Sequence, residues 1–92
     1  MRNLLIEHLE LFKGKSLIYH IDNNFLHSAG RIENFHYKIK HNTMYFYKGE
    51  EHEKITLSIT LDYIADVSEE ISEGDYFFIF FDDRSSIHLQ FV

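Results

Sequence analysis

Residues Tyr76-Phe77-Phe78-Ile79-Phe80-Phe81 form an unbroken apolar run between Gly74-Asp75 and Asp82-Asp83. Alternate side chains of a strand point to opposite faces, so a strand built from this run is apolar on both faces and both must be covered. The following segment, Ser86 to Val92, alternates instead, with Ile87, Leu89 and Phe91 against His88 and Gln90. A tight turn centred on Asp83 and Arg84 then pairs Phe80 with Ile87, Phe78 with Leu89 and Tyr76 with Phe91, and that face is the expected core. The opposite face carries Phe77, Ile79 and Phe81 beside Ser86, His88 and Gln90. Leaving three such apolar side chains wet forfeits roughly 1.5–3 kcal/mol each. Their cover is either the chain's own N-terminal segment or another protein, and Phe77, Ile79 and Phe81 are therefore the expected apolar partner-binding strip. The acids Glu73, Asp75, Asp82 and Asp83 flank the run as charged gatekeepers against aggregation.

The internal candidate for that cover is the segment MRNLLIEHLELF. Leu4, Leu5, Leu9 and Phe12 recur at helical spacing, and Gly14 follows where a helix stop is expected. Glu7 and Glu10 within the stripe read as a helix and not as a signal peptide. Residues 15–22 and 25–32 flank Asn23-Asn24, a predicted two-residue turn that sets His20 opposite His27, Tyr19 opposite Ser28 and Ile21 opposite Leu26. Gly30 lies within the long strand-like run 25–40, where a glycine predicts a sharp bend. His41-Asn42 is the next turn; across it Ile39 meets Met44, Tyr37 meets Phe46, Lys38 meets Tyr45 and His36 meets Tyr47. Residues 54–61 alternate cleanly, with Ile55, Leu57, Ile59 and Leu61 pointing inward. Residues 62–73 fit either a short helix or a strand, with the balance toward strand or turn.

These elements predict an α+β, mainly β protein: an N-terminal helix followed by a strongly bent antiparallel sheet of five or six strands, or a small barrel, in one domain spanning 1–92. Gly30-x-Ile32-x-x-Phe35 followed by Ile39 resembles the glycine and apolar positions of the first Sm motif, over about a third of the chain. The resemblance to the Sm-like fold implies the same helix-first, five-stranded small barrel. The positions at which that family contacts nucleotides with Asp and Asn are His36 and Lys40 here, and the second motif's Arg-Gly pair is missing. The resemblance therefore implies the fold without the RNA site.

With 92 residues the chain has room for one modest core, since a protein this small buries only about 60–65% of the surface its unfolded form exposes. No stretch approaches the roughly 20 apolar residues of a membrane span, so no membrane association is expected. Cysteine is absent, which excludes disulfides and thiolate metal sites and fits a cytoplasmic protein. Charge is uneven: residues 1–48 carry 7 Lys/Arg against 4 Asp/Glu, a net of +3, and residues 49–92 carry 2 against 11, a net of −9. Such asymmetry marks a charged partner or simply maintains solubility.

Catalytic signals are weak. His20 and His27 with Asp22 supply two metal ligands on one face and no identifiable third, so no metal and no cofactor is expected. Ser85, Ser86, His88 and Asp82 or Asp83 have the residue types of a hydrolytic triad but no nucleophile elbow, and a polar hairpin turn explains them. No glycine-rich phosphate loop is present. The chain reads as a non-enzyme.

Two surfaces remain. Glu50, Glu51, Glu53, Asp66, Glu69, Glu70, Glu73 and Asp75 offer a negative surface that would steer docking onto a larger, basic protein. Small acidic proteins of this kind, some phage-encoded anti-CRISPR inhibitors among them, occupy the nucleic-acid channels of bacterial nucleases. A protein-binding module acting as a phage or mobile-element inhibitor of a nuclease or defence protein is thus the expected function. The second surface is basic and aromatic: His36, Lys38, Tyr45, Tyr47 and Lys48, with Arg31 adjacent, form the face expected of a small-barrel nucleic-acid binder. A structural homo-oligomer joined through edge strands or the Phe77 strip is the third expectation.

Overall fold

The computed structural model describes residues 2–23, 27–50, 54–70 and 75–92. Its helix α1 (Arg2–Phe12) precedes eight strands: β1 (Leu17–Asp22), β2 (His27–Ile32), β3 (Phe35–Lys40), β4 (Thr43–Lys48), β5 (Ile55–Thr60), β6 (Ile64–Glu70), β7 (Asp75–Phe81) and β8 (Ser86–Phe91). A single 3-10 turn, Leu61–Tyr63, joins β5 to β6. The predicted class, α+β and mainly β with the helix first, holds. The strands form two antiparallel sheets, ordered β2-β1-β8-β7-β6 and β3-β4-β5, in place of the expected five- or six-stranded sheet or barrel. The barrel expectation is corrected because each sheet keeps two edges.

Helix α1 follows from its apolar spacing. Leu5 and Leu9 are fully buried and Leu4, Ile6 and Phe12 pack against the core. Gly14 ends it with φ of +90°, which L side chains rarely adopt. The next residues fasten both sheets together. Gly14 N–H donates to Phe35 C=O at 2.8 Å and Phe35 N–H to Lys15 C=O at 2.9 Å. Val92 N–H donates to Ser16 C=O at 2.9 Å. The helix thus enters directly over the seam where β3 and β8 approach. There Phe12 lies parallel to Phe91 (4.7 Å between centroids, 8° between planes), and Phe91 meets Phe35 at 5.7 Å.

The first hairpin departs from the expected register. Asp22 pairs with His27, so the pairing moves by two. A shift of two keeps every residue on its expected face but changes its partner. Tyr19 now faces Gly30, His20 faces Ala29 and Ile21 faces Ser28. Gly30 is therefore not a bend. It lies within β2, and a β-carbon there would collide with the Tyr19 phenol ring. The chain turns instead at Glu33–Asn34, where Asn34 has φ of +49°, and passes into the smaller sheet.

The β3–β4 hairpin matches the expected register at every pair, from His36 with Tyr47 to Ile39 with Met44. His41 and Asn42 both have positive φ (+53° and +59°), as a two-residue primed hairpin turn requires. In β5, Leu57 and Ile59 are buried as expected, and Leu61 follows them, but Ile55 is 40% exposed beside an irregularity in the β4–β5 register. Residues 64–70 form a strand, in line with the balance of the sequence signals, and pair with β7.

The last hairpin slips by a single residue, which exchanges the faces of β7 and leaves Ile87, Leu89 and Phe91 of β8 buried as expected. Phe80 pairs with Ser86, Ile79 with Ile87, Phe78 with His88 and Phe77 with Leu89. The cause lies in the turn. Phe81 N–H donates to Ser85 C=O at 2.9 Å, enclosing the three residues Asp82, Asp83 and Arg84, and Arg84 has φ of +70°. A three-residue loop with its last residue left-handed is the next favoured hairpin after the two-residue turn. The Asp83 carboxylate holds it by accepting from the Ser85 hydroxyl and from Ser85 N–H. These bonds hold the Asp83 pKa below the usual carboxylate value.

Candidate functional site

The register of β7 and β8 decides which aromatic side chains are surface. Phe77 and Ile79 are fully buried and Phe81 packs half-buried against the same core. The expected apolar partner-binding strip is thus corrected to interior: α1 and the smaller sheet cover it. The alternate residues Tyr76, Phe78 and Phe80 occupy the outer face of the larger sheet instead, Phe80 being 41% exposed. Tyr76 and Phe78 stack at 6.2 Å and 11°, and His88 meets Phe78 edge-on at 4.8 Å. A groove of about 510 Å³ runs from this strip toward β2, lined by His20, His27, Ala29, Tyr76, Phe78 and His88 among others. The sequence carries a signal for this face, the Asp82-Asp83-Arg84 loop, but reading it requires choosing a three-residue over a two-residue turn.

His20 does not face His27; it lies opposite His88 across β1 and β8. His27 Nδ1 stands 2.9 Å from Asp22 Oδ1 at the end of its own hairpin. Among the described residues no three His, Asp or Glu side chains are grouped to hold a metal ion.

The acidic set is split. Glu51, Glu53 and Glu73 lie outside the described residues. Glu50 and Asp66 are exposed. Asp66 is in register with Phe80, Glu69 with Phe77, Glu70 with Tyr76 and Asp75 with Phe91. Strand β6 is the edge of the larger sheet; by register its positions 66 and 70 share the face of Phe80 and Tyr76, and position 69 shares the face of Phe77.

Four of the five members of the basic and aromatic set come together on one face, and Lys48, in register with Phe35, stands apart from them. His36, Lys38, Tyr45 and Tyr47 share the outer face of the smaller sheet through the β3–β4 register. His36 stacks on Tyr47 at 6.1 Å and 22°, and Lys38 Nζ stands 5.9 Å from the centre of the same ring. Lys48 is exposed at the end of β4. On the inner side of β3 the Tyr37 hydroxyl donates to Glu10 at 2.6 Å, and Glu10 pairs with Lys13 at 2.8 Å, tying α1 to this sheet.

Of the triad residue types, Asp83 and Ser85 are engaged with each other in the hairpin turn, and His88 stands on the outer face against Phe78. No helix among the described residues is long and apolar enough to cross a membrane. Comparison of the chain with protein-family models, curated proteins and solved structures returned no match.

Proposed function

We propose that the chain is a non-catalytic protein-binding module that docks onto a larger, basic protein through the outer face of its five-stranded sheet. The carrying observation is the row Tyr76, Phe78 and Phe80 on that face, with the acidic edge strand β6 beside it. Half-exposed aromatic side chains supply anchoring area, since Tyr and Trp dominate interface energetics and Phe enriches interface cores. The acids supply orientation, and the −9 carried by residues 49–92 favours a positively charged partner. A nucleic-acid channel of a bacterial nuclease or defence protein has that chemistry, and inhibition by occupying it is the form of this function we favour. The lack of cysteine supports action in the cytoplasm.

The test is affinity capture from a bacterial lysate, comparing the wild-type chain with F78A/F80A and with D66K/E70K. A basic partner retained by the wild type and lost from the aromatic variant supports the reading; undiminished capture by both variants removes it. Light scattering of the free protein separates a homo-oligomer from a module awaiting a different partner.

A second reading is favoured by the His36–Tyr47 stack with Lys38 against the ring. This face offers a base a stacking surface beside a positive charge, the combination single-strand binders use.

A further inference from the structure

The end of β2 and the start of β5 belong to different sheets, and between them lies a groove of about 640 Å³. Its lining includes Arg31 from β2, Lys48 from the end of β4 and Lys54 just before β5, over Ile32, Ile55 and Thr56. Glu33 is the one acid among the described lining residues. In a chain of net charge −6, three cations from three segments therefore converge on one cleft. Arg31 is held by its own neighbours: its Nη2 donates to Ser16 Oγ at 3.3 Å and its Nε stands 4.0 Å from Glu33.

The groove adjoins the aromatic face. Ile55, which lines it, is the register partner of Tyr47, and Lys48 follows Tyr47 in the chain. We infer that this groove is a phosphate-binding site through which the backbone of a single-stranded nucleic acid passes, its bases reaching the His36–Tyr47 stack. The inference rests on the second reading above. A nucleic-acid strand fits better than an acidic peptide because the cations adjoin a stacking surface, and the two together match a strand that alternates phosphates with flat bases.

The experiment measures binding of a labelled single-stranded oligonucleotide across a salt series, with amide chemical shifts followed on adding either the oligonucleotide or inorganic tripolyphosphate. Neutralising the groove in R31Q/K48Q/K54Q is expected to weaken oligonucleotide binding at least tenfold at low salt. Because each single-strand phosphate contact contributes about 0.7 to the salt slope, that slope should fall by about 2. K48R/K54R, which keeps the charge, should bind as the wild type, and an unchanged amide spectrum shows that each variant is folded. Wild-type binding by the triple variant, with loss in Y47A, overturns the groove while leaving nucleic-acid binding by the face in place. Tripolyphosphate shifts at the groove without oligonucleotide binding overturn the strand assignment. Absence of both at about 100 μM, the weak end of nonspecific binding, overturns the site and the reading together.

Discussion

The imidazole of His8 stands 4.9 Å from the ring of Phe77, centroid to centroid, with 48° between their planes. One turn of α1 thereby lies on the second residue of the apolar run, and the same His8 ring is 6.1 Å from Phe12 and 6.4 Å from Phe91. The helix is the cover that the run demands, and it lies on the Phe77 side because the hairpin loop has three residues.

That placement separates two neighbouring phenylalanines. F77A removes a side chain with no exposed surface and should cost about 3–5 kcal/mol, a large part of the roughly 5–15 kcal/mol that holds a domain together. F80A removes one that is 41% exposed and should cost no more than about 1 kcal/mol. Urea denaturation of the two variants checks this; equal costs, or the reverse order, would show that the register is wrong.

Gly30 and Tyr19 form a second testable pair. A methyl group at residue 30 meets the Tyr19 ring, so G30A should destabilise by about 1–3 kcal/mol, the range for overpacking. In a Y19A background the same substitution should be close to neutral. A double-mutant cycle measures the coupling, and additive effects would remove the proposed contact.

The clasp between α1 and β3 gives stability a pH dependence on both sides. Burial, reinforced by donation to Glu10, raises the Tyr37 pKa above its ordinary 10.0. Its contribution is complete below pH 10 and is lost as pH rises toward the folded value. Glu10 is lowered from 4.5, first by Lys13 and then by the Tyr37 hydroxyl. Its contribution is present above pH 4.5 and is lost as pH falls through the folded value. Y37F should therefore lower the thermal midpoint at neutral pH, flatten the decline above pH 10 and weaken that below pH 4.5. Melting curves across pH test it.

Arg84 holds a left-handed backbone, φ +70°, at the third position of the last hairpin loop. R84G removes roughly 1 kcal/mol of strain and adds freedom to the unfolded chain, for a net gain of about 0.5 kcal/mol. A gain in urea midpoint with unchanged slope is the expected result; a loss would mean that the Arg84 side chain contributes contacts outweighing its backbone strain.

The parts of this fold legible in the sequence were those where local geometry admits one solution. His41-Asn42 joins two strands whose alternation is in phase on both sides, so every β3–β4 pair could be placed, and with it the His36, Lys38, Tyr45 and Tyr47 face. In β5, Leu57 and Ile59 alternate with polar residues and turned inward as expected. Where a run is apolar on both faces, hydrophobicity cannot choose the register, and one residue in the Asp82–Arg84 loop decided it. The outer-face strip Tyr76, Phe78 and Phe80 was hidden for that reason. The basic groove was hidden for another: Arg31, Lys48 and Lys54 are brought together only by the meeting of two sheets, which no local pattern encodes.

The smaller sheet is a contiguous meander, whereas the larger one joins the N-terminal hairpin to the last three strands through the β1–β8 ladder, from Leu17–Phe91 to Asp22–Ser86. During synthesis, β3, β4 and β5 can condense as soon as they leave the ribosome. The β1–β2 hairpin must wait with an unpaired edge until the final strand arrives. Closing so distant a pair is slow compared with local hairpin formation. The nascent chain therefore passes through a stage in which one half is assembled and the other is an open template, and the speed of translation through the final third sets how long that vulnerability lasts.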